Sequence, residues 1–114
     1  MKYTPFYNDM FSLVYKAFGN LYHKECICEW SPTSFKAEDG SDAYGMTTFD
    51  DDGKILVSIS ADIPVTGAVE VFAHELAHVA VGIDAGHGKE WKEAFEAIYR
   101  EYERIALEEI KERE

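Results

Sequence analysis

The chain is short of cysteine, proline and positive charge, and each shortage excludes something. It holds two cysteines and three prolines, and its 11 lysines and arginines face 22 aspartates and glutamates, for a net charge of −11. Cys26 and Cys28 have one residue between them. A disulfide across that spacing is strained and a zinc ribbon needs four ligands at wider spacing, so neither framework is expected. On a strand the two thiols point to one face, where they read as small buried apolar groups in a reducing compartment. The acidity opposes unaided binding to DNA or to an anionic membrane, both of which attract the opposite sign. The sequence also has no apolar run long enough to span a bilayer and no basic-then-apolar opening of a signal peptide. Met1-Lys2-Tyr3-Thr4-Pro5 reads as the start of the domain itself, and the expected location is cytoplasmic.

What is present suffices for a packed core. With 114 residues, 46% hydrophobic and 14% aromatic, the chain is expected to form one globular domain over residues 1–114. Thr4-Pro5 reads as a cap with proline at the first helical position. Phe6, Met10, Leu13, Val14, Ala17 and Leu21 then recur at helical spacing, predicting a helix from about Pro5 to Phe18 that ends at Gly19-Asn20. His23 follows in a polar connection and, lacking a spaced partner, reads as a surface residue. Glu25 to Trp30 predicts a strand, ended by Ser31-Pro32-Thr33. After a polar loop over residues 34–42, two runs, Ala43–Phe49 and Lys54–Ser60, flank Asp50-Asp51-Asp52-Gly53. The Asp-Gly pair supplies the positive φ of a tight turn, which predicts an antiparallel hairpin. The triple aspartate lacks the twelve-residue EF-hand pattern and reads as a solvated turn.

Ile63-Pro64 breaks the sheet. Thr66 is then placed to cap a helix from about Thr66 to Val81, stopped by Gly82, and a last helix runs from about Lys89 to near Ile110. The buried stripe of that last helix is Trp91, Phe95, Ile98, Tyr102 and Ile105. The order predicts a small α+β domain: an N-terminal helix, a short, mostly antiparallel sheet of about three strands, a central helix and a long C-terminal helix.

The chemistry lies in the central helix, at His74-Glu75-Leu76-Ala77-His78. Two histidines four apart stand one turn above the other on one helix face, so both imidazoles can reach one metal ion at about 2.0–2.1 Å. Glu75 is set about 100° further round, beside such an ion rather than on it, where a carboxylate can take a proton from water. A catalytic zinc typically keeps three protein ligands and one open position. Asp84, His87, Glu90, Glu93 and Glu96 are candidates for the third. Asp84 lies six residues after His78, the metzincin spacing, but the glycine that pattern wants three residues after His78 is here Val81. Glu93 or Glu96 on the last helix would give a gluzincin-type ligand. His87 is the best placed chemically: a neutral imidazole suits zinc, and its glycine-flanked loop can fold back beneath the metal.

The run His74-Glu75-Leu76-Ala77-His78, an eight-residue gap, and His87-Gly88-Lys89-Glu90-Trp91 resembles the SprT-like zinc metallopeptidases, over roughly residues 54–100. The resemblance implies a minimal zincin-like protease domain without the four-cysteine ribbon of that family, with His74, His78 and His87 as zinc ligands. It further implies that Glu75 is the catalytic acid/base and that Trp91 is the aromatic packed against the motif helix. Family members act on proteins crosslinked to DNA, a substrate the acidity here argues against.

The expected function is zinc-dependent hydrolysis of peptide bonds in a protein or peptide substrate, with no membrane partner. Two alternatives stand beside it: a non-catalytic zinc-containing binding module, and a DNA-associated protease acting through a partner. Tyr44 is a candidate second oxyanion donor. Asp84 is a candidate partner for the free nitrogen of a zinc histidine, and the edge of the 54–60 strand a candidate dock for extended substrate.

Overall fold

A computed structural model describes residues 10–36, 39–82 and 86–113. The predicted helix start at Pro5 and the loop acid Asp84 lie outside them. In chain order the elements are α1 (Met10–Tyr22), β1 (Ile27–Ser31), β2 (Phe35–Lys36), β3 (Asp42–Ala43), β4 (Gly45–Phe49), β5 (Ile55–Ser60), α2 (Val65–Val81) and α3 (Lys89–Arg113). The architecture is a small α+β domain in which three helices pack on one another and α2 lies against β4 and β5. Among the described residues no helix is long and apolar enough to cross a membrane.

The principal sheet has the order β1-β5-β4. β4 and β5 form the expected antiparallel hairpin, with Thr47 opposite Val57 and Phe49 opposite Ile55. Its turn is closed by the Asp50 N–H donating to the Lys54 carbonyl at 2.8 Å, and Gly53 supplies the positive φ of 89°. β1 pairs β5 in parallel, Cys28 opposite Val57, while the small β2–β3 ribbon is antiparallel. β5 is therefore the central strand, with both edges hydrogen-bonded. The expectation of substrate pairing along the 54–60 strand is corrected on that ground: among the described residues the unpaired edge beside α2 belongs to β4.

Alternation fixes which side chains face the helices. Val57 and Ile59 of β5 are buried there, with Cys26 and the half-buried Cys28 beside them. The two thiols are free and their sulfurs stand 3.7 Å apart, on one face as the spacing required. From α1 come Leu13, Val14, Ala17 and Phe18, from α2 Ala68, Val69, Phe72, Ala73, Leu76, Ala77 and Val79, and from α3 Ala94, Ile98 and Ile105. Trp91, Phe95 and Tyr102 of the predicted α3 stripe pack against this core from its margin.

Three helix boundaries differ from expectation, one of them the end of α3, which continues past Ile110 to Arg113. α1 runs through Gly19 and Asn20 to Tyr22 because packing continues past them: Tyr22 sits on Phe18, and the Asn20 amide donates to Glu101 of α3 at 3.3 Å. The residue that turns the chain out of the helix is His23, at φ 53°, whose N–H still donates to the Gly19 carbonyl. Thr66 does not cap α2. Pro64 occupies the cap position, and its carbonyl accepts the Ala68 N–H at 2.9 Å, so the helix starts one residue earlier than predicted. At the other end Gly82, at φ 92°, stops α2 as expected. The Lys24 ammonium donates to the Ala80 carbonyl at 2.9 Å, placing a cation where the helix leaves its carbonyls unpaired.

Candidate metal centre

α2 is buried along most of its length, and its helical repeat presents His74 and His78 on the one side left open. Gly86, at φ 56°, precedes His87 and leads the chain back towards them, and α3 begins immediately after. The three imidazoles meet. His87 Nε2 lies 3.1 Å from His78 Nε2 and 3.3 Å from His74 Nε2. Ligand atoms held about 2.0–2.1 Å from a tetrahedral ion stand about 3.3 Å from one another, so the spacing is that of a ligand set. Among the described residues these three are the only group of three or more His, Cys, Asp or Glu side chains close enough to bind a metal ion together.

The remaining third-ligand candidates stay outside the cluster. Glu93 lies 3.9 Å from Lys89 on the face of α3, Glu96 lines a separate groove with Tyr99 and Arg100, and Glu90 is exposed in the first turn of α3.

Around His74 and His78 the environment favours neutral imidazole, the form that ligates. Burial, and then the neighbouring His74 and His87, push His78 down to about 4. Burial and His87 lower His74 as well. At neutral pH the 3.7 Å approach of His74 Nε2 to Glu75 Oε2 is therefore a contact rather than an ion pair.

Glu75 is 7% exposed, deep for a carboxylate. Burial raises its pKa, and a hydrogen bond from Thr47 opposes the rise. The Thr47 hydroxyl donates to Oε1 at 2.7 Å, while Oε2 is the oxygen near His74. Two residues earlier on β4, Gly45 faces the same helix. A Cβ there would fall 2.9 Å from Glu75 Cγ and 2.6 Å from Val71 Cγ1, so only glycine lets the strand approach this closely. Neither Gly45 nor Thr47 is marked by any motif spacing. Their part in the site depends on strand register, which places positions two apart on one face of β4.

Trp91 completes the wall. Its indole N–H donates to the His74 carbonyl at 3.2 Å, and its ring packs against His74 and His87 with centroids 4.6 and 4.9 Å away. It is stacked on Phe95 at an interplanar angle of 2°, which fixes its orientation. Two clefts flank the imidazoles. One of about 600 Å³ runs between β4 and His74, Glu75, His78 and His87. The other, about 590 Å³, lies on the far side of His74 against Trp91, Phe95 and Pro64, and Tyr44 forms part of its wall. His23 is exposed in the α1–β1 connection and takes no part in the cluster.

The arrangement can hold a divalent ion by three nitrogens, with a carboxylate beside the ion and an open cleft leading to it. No protein-family model matches the chain, and neither does any curated protein or solved structure.

Proposed function

We propose that this chain is a zinc-dependent metallopeptidase with a zincin-like, SprT-like arrangement of its site. The observation that carries the reading is the convergence of three Nε2 atoms at 3.1 and 3.3 Å with a buried carboxylate oxygen 3.7 Å from one of them. His74, His78 and His87 would hold the zinc, the choice of metal resting on an all-imidazole donor set. Bound zinc supplies Lewis acidity, which acidifies water and polarises a carbonyl.

The residues of the chain do the rest. Glu75 Oε2 takes the proton of the attacking water and returns it to the leaving amine. Burial suits Glu75 to this role, because a raised carboxylate pKa makes it a better base than an exposed one. Trp91 orients His74 through its hydrogen bond to the His74 carbonyl and its packing on the ring. The free edge of β4 borders the cleft and can pair with an extended peptide, a more suitable dock than the central β5. A non-catalytic zinc module has no use for a buried acid at position 75. The net charge of −11 weighs against unaided action on DNA, and the free thiols suit a reducing cytoplasm.

The test compares zinc content and casein hydrolysis in the wild-type protein and in Glu75→Gln. Equal zinc with hydrolysis lost in the variant is the expected result. Hydrolysis that persists in the variant removes Glu75 from the mechanism, and zinc without hydrolysis in the wild type turns the reading to a binding module.

A further inference from the structure

The geometry points to Thr47 as a positioning residue that commits the two oxygens of Glu75 to different tasks, Oε1 as an anchor and Oε2 as the proton acceptor. This rests on the reading of Glu75 as the base. A carboxylate joined to its helix by two methylenes can rotate so as to exchange its oxygens or withdraw both from the site. Here Oε1 accepts the Thr47 hydroxyl at 2.7 Å, and Oε2 is left facing His74 Nε2 at 3.7 Å. The same hydroxyl lies 3.3 Å from the Glu75 main-chain carbonyl, the weaker alternative for its single proton. Thr47 is itself fixed: it sits within β4, paired across to Val57 of the central strand. A β-branched side chain on a strand has little χ1 freedom. Gly45 removes the Cβ that would otherwise meet Oε2 at 3.0 Å, so strand β4 both clears space for the carboxylate and aims it.

The pair of variants that tests this is Thr47→Val, which keeps the shape and removes the donor, and Thr47→Ser, which restores it. Both suit a strand. In zinc-loaded protein Thr47→Val is expected to lower kcat about 10- to 100-fold with KM and zinc content unchanged, because a base displaced by about 1 Å loses that much. Thr47→Ser is expected to recover kcat to within about threefold of wild type, whereas a purely structural role would move stability in both variants and recover nothing. Crystal structures of wild type and Thr47→Val give a readout independent of turnover: the Glu75 carboxylate should leave its wild-type rotamer in the valine variant. An unmoved carboxylate, or a kcat equal to wild type, overturns the assignment. If the wild type hydrolyses no peptide, the peptidase reading fails alone, and the rotamer still decides whether Thr47 holds Glu75.

Discussion

Alanine at position 45 tests how closely β4 is fitted to the motif helix. Its methyl carbon would stand 2.6 Å from Val71 Cγ1, 2.9 Å from Glu75 Cγ and 3.0 Å from Glu75 Oε2. Carbon atoms in ordinary contact are about 3.5–4.0 Å apart, so the overlap is about 1 Å on the Val71 side. Neither neighbour is the loose end of a flexible chain: Val71 is branched and sits on α2, and Glu75 is held by Thr47. Strand and helix must separate, or Glu75 must turn away. Overpacking of this kind costs about 1–3 kcal/mol, which lowers Tm by roughly 5–15 °C in a domain of this size. A Glu75 displaced by about 1 Å lowers hydrolysis about 100-fold. Zinc content should stay at the wild-type level, since the atoms nearest the added carbon belong to Val71 and Glu75 and not to the imidazoles. The control is Gly19→Ala, a helical glycine with nothing within 4 Å of its Cβ. That substitution should stabilise by about 0.5–1 kcal/mol. Thermal melts, zinc analysis and peptide hydrolysis measure all three consequences. A Gly45→Ala protein as stable and as active as wild type would refute the close approach.

Two further outcomes follow from the site. In metal-free protein the folded state holds His74 and His78 below their ordinary 6.5, His78 at about 4, so between those values the unfolded chain binds more protons and stability falls as pH drops. Glu75 works in the opposite sense, since its raised pKa contributes stability at low pH that is lost as pH climbs above 4.5 through its folded value. Urea midpoints of chelator-treated Glu75→Gln should therefore fall steadily from pH 7 to pH 4, and midpoints that rise on acidification would contradict the burial of the imidazoles. Trp91→Phe removes the donor to the His74 carbonyl and should weaken zinc affinity roughly 10-fold in a chelator competition, with unchanged affinity counting against a supporting role.

Legibility in the sequence followed the range of the interaction. The motif helix, the hairpin turn and the α3 stripe rest on neighbours a few residues apart, and 3.6-residue periodicity or an Asp-Gly pair exposes them. His87 was reachable because only a short loop separates it from His78. The parallel β1–β5 pair was not legible, since nothing local in Ile27–Ser31 states which strand it will join or in which direction. The central place of β5, and with it the correction of the substrate edge to β4, follows from that pairing. Helix ends went the same way: Gly19 reads as a stop, yet the hydrogen bond of Asn20 to Glu101, 81 positions on, and the packing of Tyr22 against the core carry α1 past it. Thr47 and Gly45 reach Glu75 across 28 and 30 positions of chain, through a register that composition does not reveal.

The most direct test is X-ray absorption at the zinc edge of the loaded wild-type protein and of His87→Ala. The account predicts one zinc per wild-type chain, with three imidazole nitrogens and one oxygen at about 2.0–2.1 Å, and one imidazole fewer in the variant. A wild-type shell with fewer than three imidazoles, with sulfur, or with a fourth protein ligand in place of the oxygen would contradict it.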